Sequence, residues 1–155
     1  MFVGSANELA RLPRMEDAPG RLRGKPSWLI SKASVQAHRL IIDAMTAVQG
    51  RAYHFAILAT LEEFGPASQV TIGQRCGIDR SDMHAMVNEL AEQHLVVRAP
   101  DPGDRRRNVI TMTAAGKRRL DELETALGGV QDDLLRPLSG TERDQLTGLL
   151  TRILS

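Results

Sequence analysis

Residues 70–98, VTIGQRCGIDRSDMHAMVNELAEQHLVVR, carry the pattern that decides the fold. We expect a short helix from Val70 to Gly77, preceded by a residue or two of strand, because glycine commonly ends a helix. Asp79 is a favourable N-cap for a second helix, which continues to about His94. A helix, a tight glycine turn and a second helix are the layout of a helix-turn-helix motif.

The second helix has two chemically different faces. At about 100° per residue its apolar side chains fall within one arc, which predicts that this face packs on the core. These side chains are Met83, Met86, Val87 and Leu90. The opposite face is centred on Ser81, Ala85 and Asn88, with Arg80, His84 and Glu89 on its flanks. Such a helix fits the major groove of DNA, where asparagine pairs well with adenine, so this face is expected to approach base edges.

A β-hairpin with a basic tip is predicted after the helix-turn-helix. The β-favouring runs at 96–98 and 109–113 are separated by the loop DPGDRRR, residues 101–107. An arginine at a hairpin tip can enter a narrow minor groove, where the potential is most negative. The candidate residues are Asp104, Arg105, Arg106 and Arg107, with Asp104 expected to hold the Arg106 guanidinium.

Residues 98–119 are strongly basic. They hold seven basic and two acidic side chains, a net charge of +5, whereas the whole chain has a net charge of +1. Lys117, Arg118 and Arg119 are expected to add phosphate contacts. Concentrated positive charge is what a polyanion-binding surface requires, and a merely solvated charged face is the alternative interpretation.

The remaining chain is predicted to be mostly helical. The predicted segments are an N-terminal extension over 1–26, helices over 27–50 and 52–64, a helix from Thr113 to about Leu135, and a last helix from Ser139. Ser27 is the expected N-cap of the first long helix, and Ser139 with Glu142 forms a capping box. The pair Gly128-Gly129 predicts a kink or break, since each glycine costs on the order of 1 kcal/mol relative to alanine.

Composition limits the protein class. A chain of 155 residues is about one domain, and 42% apolar with 25% charged residues is typical of a globular protein rather than a disordered one. No apolar stretch approaches the roughly 20 residues of a membrane-spanning helix. One cysteine and the absence of a signal-peptide layout favour a cytoplasmic location.

Catalytic and metal-binding signatures are absent from the sequence. It contains no G-x-S-x-G, phosphate loop, paired carboxylates or Cys-His arrangement, so we do not expect an enzyme. The four histidines lack the spacing of a zinc site, and neither a metal nor a cofactor is expected.

Longer motifs resemble a known family. The run Asp101-Pro-Gly-Asp-Arg-Arg with Ile110-Thr-Met-Thr-Ala-Ala-Gly116 is similar to the wing and following helix of the MarR family of winged helix-turn-helix transcriptional regulators. The segments CGIDRS, VNELAEQHLVVR and LLRPLSGTERDQL support the resemblance, which covers about four-fifths of the chain, from Trp28 to Leu154.

The resemblance implies a mainly helical fold with a small β-hairpin wing. It implies a DNA-binding domain at 51–113 and a homodimer formed by residues 27–50 and 114–155, bound to a palindromic operator on double-stranded DNA. Ser81, His84, Ala85 and Asn88 would then face the major groove and Arg106 the minor groove. Family members commonly repress neighbouring genes and release DNA when a small phenolic or anionic effector binds between the dimer helices and the DNA-binding lobe.

Some features leave alternatives open. Trp28 is expected to pack in the dimer core or to stack on an aromatic effector, with Lys32, Tyr53 and His54 as polar companions. The segment 48–53, VQGRAY, departs from the family pattern beside the usual effector pocket, so effector identity does not follow. Cys76 is expected to be a structural thiol, with a redox sensor as the alternative. A helical dimeric adaptor that binds protein instead of DNA is the alternative function.

Overall fold

The computed structural model describes residues 15–101, 103 and 108–155. The elements are α1 (Gly20–Arg23), α2 (Pro26–Ala47), α3 (Ala52–Phe64), β1 (Ala67–Ser68), α4 (Gln69–Cys76), α5 (Arg80–Glu92), β2 (Val96–Pro100), β3 (Asn108–Met112), α6 (Ala114–Leu134) and α7 (Gly140–Leu154). This order confirms a mainly helical winged helix-turn-helix. No helix within the described ranges combines the length and the apolar character needed to cross a membrane.

The chain divides into two compact units. One contains residues 42–131, and the other contains the described residues up to 41 together with 132–155. The predicted division into dimerisation helices (27–50 and 114–155) and a DNA-binding domain (51–113) concerns assembly and stays a prediction.

The 42–131 unit holds the winged helix. Its antiparallel sheet has the order β1-β3-β2. Ile110 of the central strand β3 lies opposite Ala67 of β1 on one side and opposite Arg98 of β2 on the other. The predicted hairpin is confirmed, and the short strand predicted before α4 adds a third strand to it.

The buried core belongs almost entirely to this unit. Its fully buried large side chains are Ile57, Leu58, Ile72, Met83, Val87, Leu90, Val96, Ile110 and Leu123. They come from α3, α4, α5, both hairpin strands and α6, so the helices that form the helix-turn-helix share one core with the wing. In the other unit, α7 has no buried residue.

Local capping explains where several helices begin. Ser68 accepts a hydrogen bond from the Thr71 backbone N–H at 3.2 Å, and Gly77 ends α4 in the left-handed conformation with φ 65°. The Thr113 hydroxyl accepts from the Gly116 N–H at 3.0 Å, and the capping box of Ser139 is present. The predicted Gly77 turn, helix start at Thr113 and Ser139 capping box are confirmed, whereas the Ser68 cap was not predicted.

The predicted bounds of the first long helix were wrong. Helix α2 begins at Pro26 rather than after Ser27, because proline lacks the N–H that would be unsatisfied in the first turn. It ends at Ala47 rather than near Gly50, since Gln49 adopts φ 52° and the Gly50 N–H donates back to the Met45 carbonyl at 2.7 Å.

Of the kink or break predicted at Gly128-Gly129, the break was wrong. Helix α6 continues through both glycines to Leu134. It buries Leu120, Leu123 and Val130. Burial of an aliphatic side chain contributes about 2 kcal/mol, so these three together outweigh the helix-propensity cost of two glycines.

Gly116 lies where helix α6 meets the start of the wing. A Cβ atom there would lie 2.1 Å from the Leu95 carbonyl oxygen and 2.8 Å from Met112 Cγ. Thr113 donates to the same carbonyl, from its backbone N–H at 3.0 Å and from its hydroxyl at 3.1 Å. A side chain at position 116 would therefore push apart the contact that joins α6 to the hairpin.

We expect Gly116→Ala to lower the free energy of unfolding by about 2 kcal/mol, because a backbone carbonyl cannot rotate away as a side chain can. Gly128→Ala is the matched control, since nothing lies within 4 Å of a Cβ placed there. It should raise the free energy of unfolding by about 0.5–1 kcal/mol through helix propensity. Urea unfolding at one fixed protein concentration measures both, and equal effects of the two substitutions would contradict the close-contact explanation.

Candidate nucleic-acid interface

Helix α5 begins at a carboxylate cap. Asp79 Oδ1 accepts from the backbone N–H groups of Ser81 and Asp82, both at 2.9 Å, and from the Ser81 hydroxyl at 2.7 Å. These hydrogen bonds, the one from the Asp82 backbone first, lower the pKa of Asp79 below its usual value. The predicted Asp79 N-cap is confirmed. The Ser81 hydroxyl already donates within the protein, which leaves its oxygen lone pairs to face a ligand.

The two predicted faces of α5 are present in the structure. Met83, Met86, Val87 and Leu90 are buried. Arg80, Ser81, His84 and Ala85 are exposed, and Asn88 and Glu89 are half-buried. The side chains proposed to read DNA therefore share the solvent side of one helix, while their role as DNA contacts stays a prediction.

Asn88 is not a free amide. Its Oδ1 accepts a hydrogen bond from Nη2 of Arg98, which projects from strand β2. Arg98 is one of the basic residues of 98–119, and no role was predicted for its side chain. The partnership depends on how the hairpin returns beside the helix, which residue types and spacing do not specify.

An open groove lies between α4 and α5, the two helices of the helix-turn-helix. Its lining includes Gln69, Val70 and Gln74 from α4 and Arg80, Ser81 and His84 from α5. Val70 is 64% exposed, although it is apolar. The predicted base contacts came from α5 alone and did not include these α4 side chains.

The structure describes both strands of the wing but only part of the loop that joins them. The register extends from Val96 opposite Met112 to Pro100 opposite Asn108, and the Gly103 N–H donates to Asp101 Oδ1 at 2.8 Å. The predicted DNA-binding residues of the tip, Asp104, Arg105, Arg106 and Arg107, lie outside the described residues.

The basic start of α6 is largely engaged in ion pairs. Lys117 Nζ pairs with Glu62 and lies 3.0 Å from Asp121 Oδ1, and these hydrogen bonds raise the pKa of Lys117. Arg119 Nη1 lies 2.8 Å from Glu122 Oε2, and Nη2 donates to the Val48 carbonyl. Arg118 is exposed and pairs with no acidic group among the described residues. Of the three cations expected to contact phosphate, Arg118 is the one available without breaking such a pair.

A polar cluster around the buried His54 joins α3 to α5. Glu89 Oε2 lies 3.1 Å from His54 Nε2 and 3.1 Å from Arg51 Nε. His54 is only 3% exposed. Burial lowers the pKa of His54 despite the opposing effect of Glu89, and the nearby charges of Arg51 and Arg119 lower it further. Because an ionised carboxylate only accepts, Nε2–H of His54 is the donor in its hydrogen bond with Glu89 Oε2.

The residues predicted to contact an effector lie in different surroundings. Trp28 is half-buried, with Lys32 Nζ 5.3 Å from its ring centroid. Tyr53 is 37% exposed and His54 is buried in the cluster with Glu89. Trp28 and Lys32 belong to one compact unit, and Tyr53 and His54 belong to the other. An effector role for these four residues stays a prediction.

Cys76 is half-buried at the end of α4. Its Sγ lies 3.1 Å from Thr60 Oγ1 and donates to the Ala56 carbonyl at 3.4 Å. Both partners are on α3, so the thiol tethers the two helices. These contacts favour the structural interpretation of Cys76 over the redox sensor.

Comparison with known proteins assigns the family. Residues 48–107 match the model of the MarR family. The chain is 30% identical over 135 residues to a Thauera aromatica protein named as a transcriptional regulatory protein for the hcr operon, with 86% of this chain and 81% of that protein covered. The chain belongs to the MarR family.

Solved structures of similar transcriptional regulators have the same fold. The repressor CouR, known from Rhodococcus jostii and solved on a 23-mer DNA duplex, is 25% identical with a TM-score of 0.78, covering 88% of this chain and 96% of CouR. PcaV of Streptomyces coelicolor, solved with its natural ligand, is 28% identical with a TM-score of 0.71, covering 88% and 96% of the two chains. This MarR-family protein is a DNA-binding transcriptional regulator, as its sequence predicted.

The buried histidine of this MarR-family protein should make its stability depend on pH. His54 has an ordinary pKa of 6.5 in the unfolded chain and a lower pKa in the folded protein. Between these two values the unfolded chain binds more protons, so the free energy of unfolding falls as pH falls. The effect should begin near pH 6.5 and stop below the folded pKa.

We expect His54→Gln to reduce this dependence, because the glutamine amide still donates to Glu89 but does not titrate in this range. Urea unfolding of both proteins at several values between about pH 7.5 and 5 measures it. His38, His84 and His94 remain in both proteins, so the difference isolates His54. Identical pH profiles would contradict a lowered pKa for His54.

Proposed function

We propose that the protein is a homodimeric, cytoplasmic repressor that binds a palindromic operator through α5 and the wing of each subunit. The exposed face of α5 is the observation that carries this proposal, because it presents Arg80, Ser81, His84 and Ala85 while the opposite face is buried. The matched repressor CouR on its DNA duplex supports the same use of the fold here.

Unpaired apolar surface supports the dimer. Several apolar side chains are exposed within the unit formed by residues up to 41 and 132–155. They are Leu29 (38% exposed), Ile30 (42%), Leu149 (55%), Ile153 (66%) and Leu154 (85%). Exposed apolar side chains on helices with few buried residues are typical of surfaces that another chain covers. A two-fold symmetric dimer would present two copies of α5, which requires two inverted half-sites on the DNA.

Domain roles follow from this assembly. We assign dimerisation to residues 27–50 and 114–155 and DNA binding to 51–113. A helical adaptor that binds protein is the competing function, and the basic loop 101–107 argues against it because an adaptor has no need for three consecutive arginines.

Arg106 is proposed to enter the minor groove. We expect Arg106→Ala to weaken binding to the DNA upstream of the gene by at least tenfold and to lower the slope of log affinity against log salt by about one. Gel shifts at several salt concentrations measure both quantities, and circular dichroism tests the fold. Arg136→Ala is the charge-matched control, since Arg136 is exposed and pairs with Asp133. Equal binding by the two variants would remove the wing tip from the mechanism.

An effector is proposed to release the repressor, as the complex of PcaV with its natural ligand suggests. Trp28 is the only tryptophan in the chain, so its fluorescence reports on this position alone. We expect phenolic acids to quench it and to release bound DNA over the same concentration range. Benzoate and cyclohexanecarboxylate form a matched pair that separates ring stacking from charge. DNA release without any change in fluorescence would leave Trp28 with a packing role only.

A further inference from the structure

We propose that Arg98 sets the base preference of Asn88, so that each half-site carries guanine rather than adenine at the base facing Asn88. The inference rests on the proposed DNA-binding function and adds to it a residue that determines specificity. It also replaces the adenine preference that asparagine alone would predict.

The turn after α5 places the two side chains together. His94 adopts φ 58°, and the Leu95 N–H donates to the Leu90 carbonyl at 2.9 Å, which closes the helix and reverses the chain direction. Strand β2 then returns beside α5, and Arg98 Nη2 donates to Asn88 Oδ1. The strand register holds Arg98 opposite Ile110, which is buried, so the backbone that carries the guanidinium is anchored in the core.

The charge of Arg98 fixes the orientation of the Asn88 amide. A guanidinium carries only donors and stays protonated, so the group facing it must be the carbonyl oxygen. The reverse orientation would place the Asn88 Nδ2 hydrogens against a cation. Consequently the two Nδ2 donors point away from Arg98.

Neighbouring groups leave this pair undisturbed. The nearest carboxylate in sequence, Glu89, is held by Arg51 and His54. Among the described residues no acidic side chain pairs with Arg98. The Asn88–Arg98 pair thus keeps a net positive charge and several unused donors on the side of α5 proposed to face DNA.

The edge chemistry of the bases then favours guanine. Adenine needs a carbonyl oxygen to accept from N6 as well as an amide to donate to N7. Arg98 already uses one of the two lone pairs of Asn88 Oδ1 and sets a cation beside it, which disfavours a further donor such as N6. Guanine offers O6 and N7, two acceptors, to a pair whose unused hydrogen-bonding groups are several donors and one acceptor lone pair. Thymine offers one acceptor beside its methyl group, and cytosine presents a donor.

The test uses a randomised duplex library and four proteins: wild type, Asn88→Ala, Arg98→Ala and the double variant. Sequencing of the bound duplexes identifies the position where Asn88→Ala removes a base preference of the wild type. Affinities are then measured for four duplexes that differ at that position alone.

We expect the wild type to bind the guanine duplex about tenfold more tightly than the adenine duplex. Arg98→Ala should shift this ratio toward adenine by about tenfold, because it removes the cation beside Oδ1 and leaves both lone pairs of that oxygen to accept from N6. In the Asn88→Ala background, Arg98→Ala should lower affinity without changing the ratio. Arg98→Lys, which keeps the charge and a donor, should retain the guanine preference.

Three results would overturn the inference while leaving DNA binding intact: a wild-type preference for adenine, equal weakening of all four duplexes by Arg98→Ala, or no position affected by Asn88→Ala. Failure of the wild type to select any duplex from the library would instead overturn the proposed function, and this inference with it. Circular dichroism of each variant confirms that the comparison is between folded proteins.

Discussion

The packing of one face of α5 against the core is the constraint on which the interface depends. Met83, Met86, Val87 and Leu90 are buried, and each contributes about 2 kcal/mol through the apolar surface it removes from water. A rotation of the helix about its axis would expose these side chains. Because that rotation is unfavourable, the packed face alone is enough to hold the opposite face toward solvent.

In this protein, the number of basic side chains differs from the number that are available to bind phosphate. Residues 98–119 have a net charge of +5, yet Lys117 and Arg119 are already engaged by Glu62, Asp121, Glu122 and a backbone carbonyl. The hydroxyl of Ser81 is likewise donated to Asp79. A count of basic residues therefore overstates how many groups can contact phosphate without losing an internal partner.

The cluster of His54, Glu89 and Arg51 gives the recognition helix a second attachment. It joins α5 to α3 by hydrogen bonds on the residue directly after Asn88. A change in the protonation of His54 alters the charge next to that carboxylate. The same contact that stabilises the unit thus ties the position of α5 to the start of α3, where Arg51 and His54 lie.

The sequence by itself determined the elements and their faces: the Asp79 cap, the left-handed Gly77, the buried stripe of α5, the hairpin and the Ser139 capping box. These features depend on neighbours within a few residues or on helical period, so local spacing is enough to predict them. Helix α6 continues through Gly128 and Gly129 because burial of distant side chains outweighs local propensity. The bond from Arg98 to Asn88, the burial of His54 against Glu89 and the approach of Leu95 to Gly116 were decided only by tertiary structure. Each joins residues on separate elements, and the relative position of those elements is set by the shared core rather than by the spacing of the residues along the chain.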